Sequence, residues 1–101
     1  MQTEVYRFVI DARVPLLEAE MSLHLAMFAV EGLFGQARLR LGMSYHLDEP
    51  RRAIFVDGTN EVGGAVVRIF TNLLIREFGE DSFVVRPVAA CSAPNMEGRA
   101  A

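Results

Sequence analysis

The second half of this 101-residue chain repeats the plan of its first half. A β-like run ends in aspartate at residues 8–11 (FVID) and again at residues 54–57 (IFVD). An apolar helical stretch follows each run and closes with Phe-Gly, at residues 34–35 and 78–79, before a second β-like run begins. The sequence therefore predicts two β-α-β units in tandem.

Tandem units of this kind predict an α+β, ferredoxin-like sandwich, with an antiparallel four-stranded sheet and two helices on one face. Strands are expected at residues 5–10, 38–47, 52–57 and 82–88. We expect the first and third strands to be central and parallel to each other, and the second and fourth to be at the edges. Pro87 suits an edge strand because proline has no N–H to donate to a neighbour. Residues 1–90 are predicted to form one domain, and residues 91–101 a disordered tail.

The amino-acid composition disfavours some classes of function. The chain is 51% hydrophobic, which is enough for one core, and its net charge of −3 disfavours a dedicated nucleic-acid binder. Cys91 is the single cysteine, so it cannot form a disulfide within one chain. The N-terminus has no secretory pattern, and charged residues interrupt the longest apolar stretch. These features predict a cytoplasmic protein that does not cross a membrane.

A glycine-rich segment, GTNEVGGA at residues 58–65, has the glycine spacing of a phosphate-binding P-loop. Gly64 stands where a P-loop needs lysine, and Ala65 where it needs serine or threonine. We interpret the segment as the start of a helix that approaches the sheet closely.

Asp11 and Asp57 end the two matching strands. If those strands are parallel neighbours, both carboxylates lie at one end of the sheet and can share a divalent cation. This pair is the basis of an alternative function, a metal-dependent phosphoryl-transfer or nuclease-like enzyme. The competing interpretation is that each aspartate caps the turn after its strand.

Glu20, His24 and Glu31 lie on one stripe of the first helix. A glutamate and a histidine four residues apart can share a metal ion, although such a stripe is more often a solvated helix face. We favour the solvated face.

The sheet face away from the helices is expected to combine arginines with apolar side chains. One alternative function is RNA binding on this face, but RNA-recognition sheets stack bases on two or three aromatic residues, and only Phe55 is expected here. A protein–protein interface fits the composition better. Its predicted residues are Val5, Arg7, Val9, Arg38, Arg40, Ser44, His46, Phe55, Val84, Arg86 and Val88.

The first helix is apolar around much of its circumference, more than a two-layer monomer can bury. One of its apolar bands consists of Leu17, Met21, Leu25 and Phe28. The sequence thus favours a small non-enzymatic module that forms homo-oligomers or binds a protein partner through the sheet face, the first helix, or both. No organic cofactor is expected.

Overall fold

The computed structural model describes residues 4–89 and 98–99, with side chains for residues 5–88. Its strands are β1 (Glu4–Ile10), β2 (Ser44–Asp48), β3 (Ala53–Asp57), β4 (Phe83–Ala89) and β5 (Gly98–Arg99). Its helices are α1 (Leu16–Phe34), α2 (Gln36–Gly42) and α3 (Glu61–Phe78), and a short 3-10 turn, Glu80–Ser82, precedes β4. The fold belongs to the α+β class, as predicted.

The strands form one antiparallel sheet in the order β4-β1-β3-β2-β5. As expected, β1 and β3 are central and β4, with Pro87, is an edge strand. The second strand is not the other edge, because β5 pairs with its first two residues, Ser44 and Tyr45. Most of the tail predicted to be disordered lies outside the described residues.

The predicted parallel pairing of the first and third strands is wrong. Val5 pairs with Asp57 and Val9 with Ala53, which is an antiparallel register. The reason is topological: a short turn joins β2 to β3, so β3 must reverse direction. Because β1 and β2 run the same way on either side of β3, the central pair is antiparallel.

The predicted strand at residues 38–47 is half helix. Gly35, with φ of 92°, ends α1, and α2 begins one residue later. Glutamine, alanine, arginine and leucine are good helix formers, so local propensity overrides the alternating pattern of residues 38–42. In the helical geometry only Leu39 is buried, whereas Leu41 is 84% exposed. The strand proper is confined to Ser44–Asp48.

The main core lies between one sheet face and the helices α1 and α3. Phe8 of β1 packs against Phe70 of α3 with ring centroids 4.7 Å apart, and both are fully buried. Leu23 and Val30 bring α1 to the same cluster. Where the two helices meet, the buried hydroxyl of Ser22 donates to Glu77 at 3.0 Å. One side of α1 is therefore buried in the core, and the opposite side of the helix faces outward.

Candidate functional site

The antiparallel register separates the two aspartates. Asp57 lies opposite Val5, while Asp11 follows the other end of β1. Six residues of extended strand correspond to about 20 Å, too far for one cation to bind both carboxylates. The predicted shared metal site is thus wrong, because it depended on parallel strands.

Each aspartate instead caps the turn that follows its strand. The backbone N–H of Arg13 donates to Asp11 at 3.0 Å, and the Arg13 guanidinium donates to the same oxygen at 2.7 Å. The Thr59 N–H donates to Asp57 at 3.0 Å. The contacts of both aspartates are therefore those of turn caps, as the competing interpretation of the sequence has it.

These hydrogen bonds hold the pKa of Asp11 below its ordinary value of 3.8. A carboxyl group whose pKa is lower in the folded state stabilises the fold above its unfolded-state pKa, and this contribution is lost as the pH falls through the folded-state value. We therefore expect Asp11→Asn to lower the melting temperature slightly at pH 7. The difference from the unchanged chain should disappear well below pH 3.8. An equal difference in melting temperature at both pH values would contradict a charge-dependent role.

The glycine-rich segment is a capped helix start. The Asn60 side chain accepts from the Gly63 N–H and donates to the Gly42 carbonyl, both at 2.8 Å. Gly63 lies so close to the end of β3 that a Cβ there would stand 2.0 Å from the Asp57 carbonyl oxygen. The glycine is explained by this close approach to the sheet, as the sequence suggested.

The stripe of Glu20, His24 and Glu31 shows one contact between its members, a distance of 3.7 Å from Glu20 Oε2 to His24 Nε2. His24 also meets the edge of the Tyr45 ring, at 5.9 Å between centroids. Burial, and secondarily the Glu20 carboxylate, raises the pKa of Tyr45. No group of three or more His, Cys, Asp or Glu side chains suited to a metal ion occurs within the described part of the chain.

The sheet face away from the helices is less basic than predicted. Arg38 and Arg40 belong to the exposed surface of α2, where Arg38 pairs with Glu61 at 3.4 Å and lies over the Phe34 ring. Val5 and Phe55 are only 3% and 8% exposed, and they form a second small core with Ala53. Both side chains are already buried within the chain, which removes them from the predicted interface. Among residues 5–88, this sheet face then has no exposed Phe, Tyr or Trp for base stacking.

The outer face of α1 carries the four apolar side chains singled out in the sequence. Leu17, Met21, Leu25 and Phe28 are 67%, 60%, 55% and 72% exposed. At about 100° per residue they fall within an arc of about 80°. The buried residues of the helix, such as Ala26 and Val30, lie on the opposite side. We call these four residues the outer stripe.

A shallow groove of about 540 Å³ follows the N-terminal half of the outer stripe. Leu17, Met21 and Leu25 line its apolar part, and Glu20 and His24 form its polar rim. Gly32 continues the stripe toward the C-terminus, and a Cβ at this position would meet no atom within 4 Å. A glycine inside a helix costs about 0.5–1 kcal/mol relative to alanine, and no contact within the chain requires this one.

Two exposed positions, Gly32 and Leu41, are not among the predicted site residues. The available signal for Gly32 was an isolated glycine inside a helical pattern. For Leu41, the alternating pattern of residues 38–47 predicts a strand, whereas the residue lies exposed on α2.

Comparison with protein-family models, curated proteins and solved structures finds no match to this chain. Among the helices described above, none is long and apolar enough to span a membrane.

Proposed function

We propose that this chain is a small, cytoplasmic, non-enzymatic module on a ferredoxin-like fold, and that it forms a homodimer through the outer stripe of α1. The strand order β4-β1-β3-β2 and the packing of α1 and α3 on one sheet face support the fold assignment. The exposure of the four outer-stripe side chains carries the functional proposal. Such a contiguous apolar surface is typical of a protein–protein contact.

The shape of the stripe suits a second copy of the same helix. Consider two copies of α1 packed antiparallel about a two-fold axis, with Leu17 of one copy across from Gly32 of the other. Met21 then lies across from Phe28, and His24 across from Leu25. The large Leu17 side chain meets the residue that has no side chain. A two-fold interface requires this self-complementarity.

Acidic residues along one flank of α1 repel each other in this antiparallel dimer. A two-fold axis brings like flanks together, so Glu20 of one copy comes within about 3 Å, measured along the helix axis, of Glu31 of the other. The helix contains no arginine to balance them. Because salt screens repulsion between exposed charges, the dimer should become tighter as ionic strength rises. This dependence is opposite to that of an interface held by ion pairs.

The dimer is tested by light scattering after size exclusion, with the chain at micromolar concentration. We expect a mass near twice the 11.2 kDa of one chain. Phe28→Glu should weaken dimerisation at least about tenfold, since it places a charge in the centre of an apolar contact. The matched control is Leu33→Glu: Leu33 is 75% exposed but lies about 120° around the helix from the stripe.

A second variant tests the antiparallel register itself. Gly32→Leu has open space in the single chain and should stabilise α1 by up to about 1 kcal/mol. In the dimer it fills the position opposite Leu17 and should shift the mass toward the monomer. A mass near 11.2 kDa for the unchanged chain at both low and high salt would refute the dimer. A Gly32→Leu chain that stays dimeric would refute the register.

A further inference from the structure

Two arginines stand side by side on the sheet face away from the helices. Arg7 of β1 and Arg86 of β4 are direct partners in the strand register. Their Cβ atoms are therefore about 5 Å apart on the same face. Like charges directly opposite each other destabilise a sheet. An arrangement of this kind calls for a compensating negative group.

No carboxylate within residues 5–88 forms an ion pair with either arginine. Among residues 5–88, the carboxylates on this face of the sheet are Asp57, on the neighbouring strand β3, and Asp48, on β2. Asp48 binds Arg51 at 3.2 Å, and Asp57 accepts from Thr59. By contrast, Arg13 and Arg38 each have a carboxylate partner. Within residues 5–88, Arg7 and Arg86 therefore have no carboxylate partner, and both guanidinium groups can bind a negative group of a ligand.

The surroundings of the pair are apolar. Val9 and Val84 lie opposite each other on one side of the arginines, and Val88 lies on the other side, where it pairs with the buried Val5. Arg86 and Val84 are exposed and Arg7 is partly exposed, so a ligand can reach both arginines. Apolar neighbours lower the local dielectric constant and strengthen a charged hydrogen bond relative to bulk water.

We infer that Arg7 and Arg86 together bind a phosphate group. Two guanidinium groups present forked N–H donors that match the oxygens of one phosphate, and their two charges match its charge of nearly −2 at neutral pH. The flanking valines favour a phosphate monoester whose ester group is apolar. The site is separate from the outer stripe of α1 and does not depend on dimerisation.

The test is the melting temperature of the full chain in inorganic phosphate, compared with sodium chloride of equal ionic strength. At a phosphate concentration ten times its Kd, binding should favour the folded state about 11-fold over the unfolded state. Arg7→Gln and Arg86→Gln should each abolish the phosphate-specific shift. The control is Arg40→Gln, an exposed arginine on α2, which should retain the shift. Melting curves without phosphate verify that each variant folds.

Phenyl phosphate distinguishes the two sources of the phosphate group. Binding tighter than inorganic phosphate identifies an apolar monoester, and equal binding identifies the free anion. Either result supports the site if Arg86→Gln removes it. Two results would overturn the inference: a shift no larger in phosphate than in chloride, or an equal shift in Arg86→Gln and Arg40→Gln.

Discussion

Gly63→Ala should lower the melting temperature by about 12 °C or more, which corresponds to a loss of roughly 3 kcal/mol in the free energy of unfolding. The added Cβ would lie 2.0 Å from the Asp57 carbonyl oxygen and 3.1 Å from its carbonyl carbon. These are backbone atoms at the end of a central strand, so no flexible side chain can move aside. Relief requires that the start of α3 moves away from β3, which disturbs the packing of Val62 and Val66 in the core.

Gly64→Ala is the matched control, one residue further along the same helix. Its added Cβ would meet only the Gly58 carbonyl oxygen, at an ordinary distance of 3.9 Å. Alanine favours a helix by up to about 1 kcal/mol over glycine, so this variant should be neutral or slightly more stable. Thermal unfolding followed by circular dichroism measures both variants. Equal melting temperatures for the two would show that α3 does not approach β3 as closely as described.

Arg52→Asn should cost about 2 kcal/mol, or about 8–16 °C in melting temperature. The Arg52 guanidinium donates to the carbonyl oxygens of Ile10, Asp11 and Val14, and so fastens the segment between β1 and α1 to the turn between β2 and β3. Its backbone has a positive φ of 52°, which asparagine tolerates better than most residues. The substitution therefore removes the side-chain bonds without adding backbone strain.

The neighbouring Arg51 provides the comparison. It is exposed and forms one ion pair with Asp48, the last residue of β2. Exposed pairs contribute little, so Arg51→Asn should change stability by less than about 0.5 kcal/mol. Chemical denaturation with urea compares the two variants on one scale. If both lose the same stability, the contacts of Arg52 with the β1–α1 segment contribute nothing of their own.

Local chemistry predicted most of the elements correctly. The Phe-Gly pairs mark the ends of α1 and α3, because Gly35 and Gly79 both adopt positive φ angles that favour glycine. Asn60 caps α3, which is a common role of asparagine at a helix start. Pro87 identified the edge strand. Each of these residues affects the backbone only within a few positions, so its structural role does not depend on the surrounding fold.

The wrong predictions have two causes. Either one sequence pattern is compatible with both a helix and a strand, or the tertiary fold determines the structure of the segment. Alternating leucine and arginine at residues 38–41 reads as a strand, yet the same residue types favour a helix. The direction of β3 depends on the connection before it and not on its own residues. Because the metal hypothesis for Asp11 and Asp57 depended on that direction, the candidate site failed with it.

The two surfaces also differ in how far a sequence can define them. Helical spacing alone places the four residues of the outer stripe on one side of α1. The packing of α1 in the core then decides that this side faces outward. The sheet face does not follow from spacing in this way. The pairing of Arg7 with Arg86 depends on strand register, and the burial of Phe55 depends on the whole fold.

The two edges of the sheet limit how this protein can aggregate. At one edge, Pro87 interrupts the row of N–H groups that a strand from another molecule would need. At the other, β5 pairs with Ser44 and Tyr45, so only residues 46–48 of β2 lie beyond its cover. Fibril growth by strand addition needs a longer open edge. Partly unfolded forms that lose β4 or β5 should therefore be far more prone to fibril formation than the native chain.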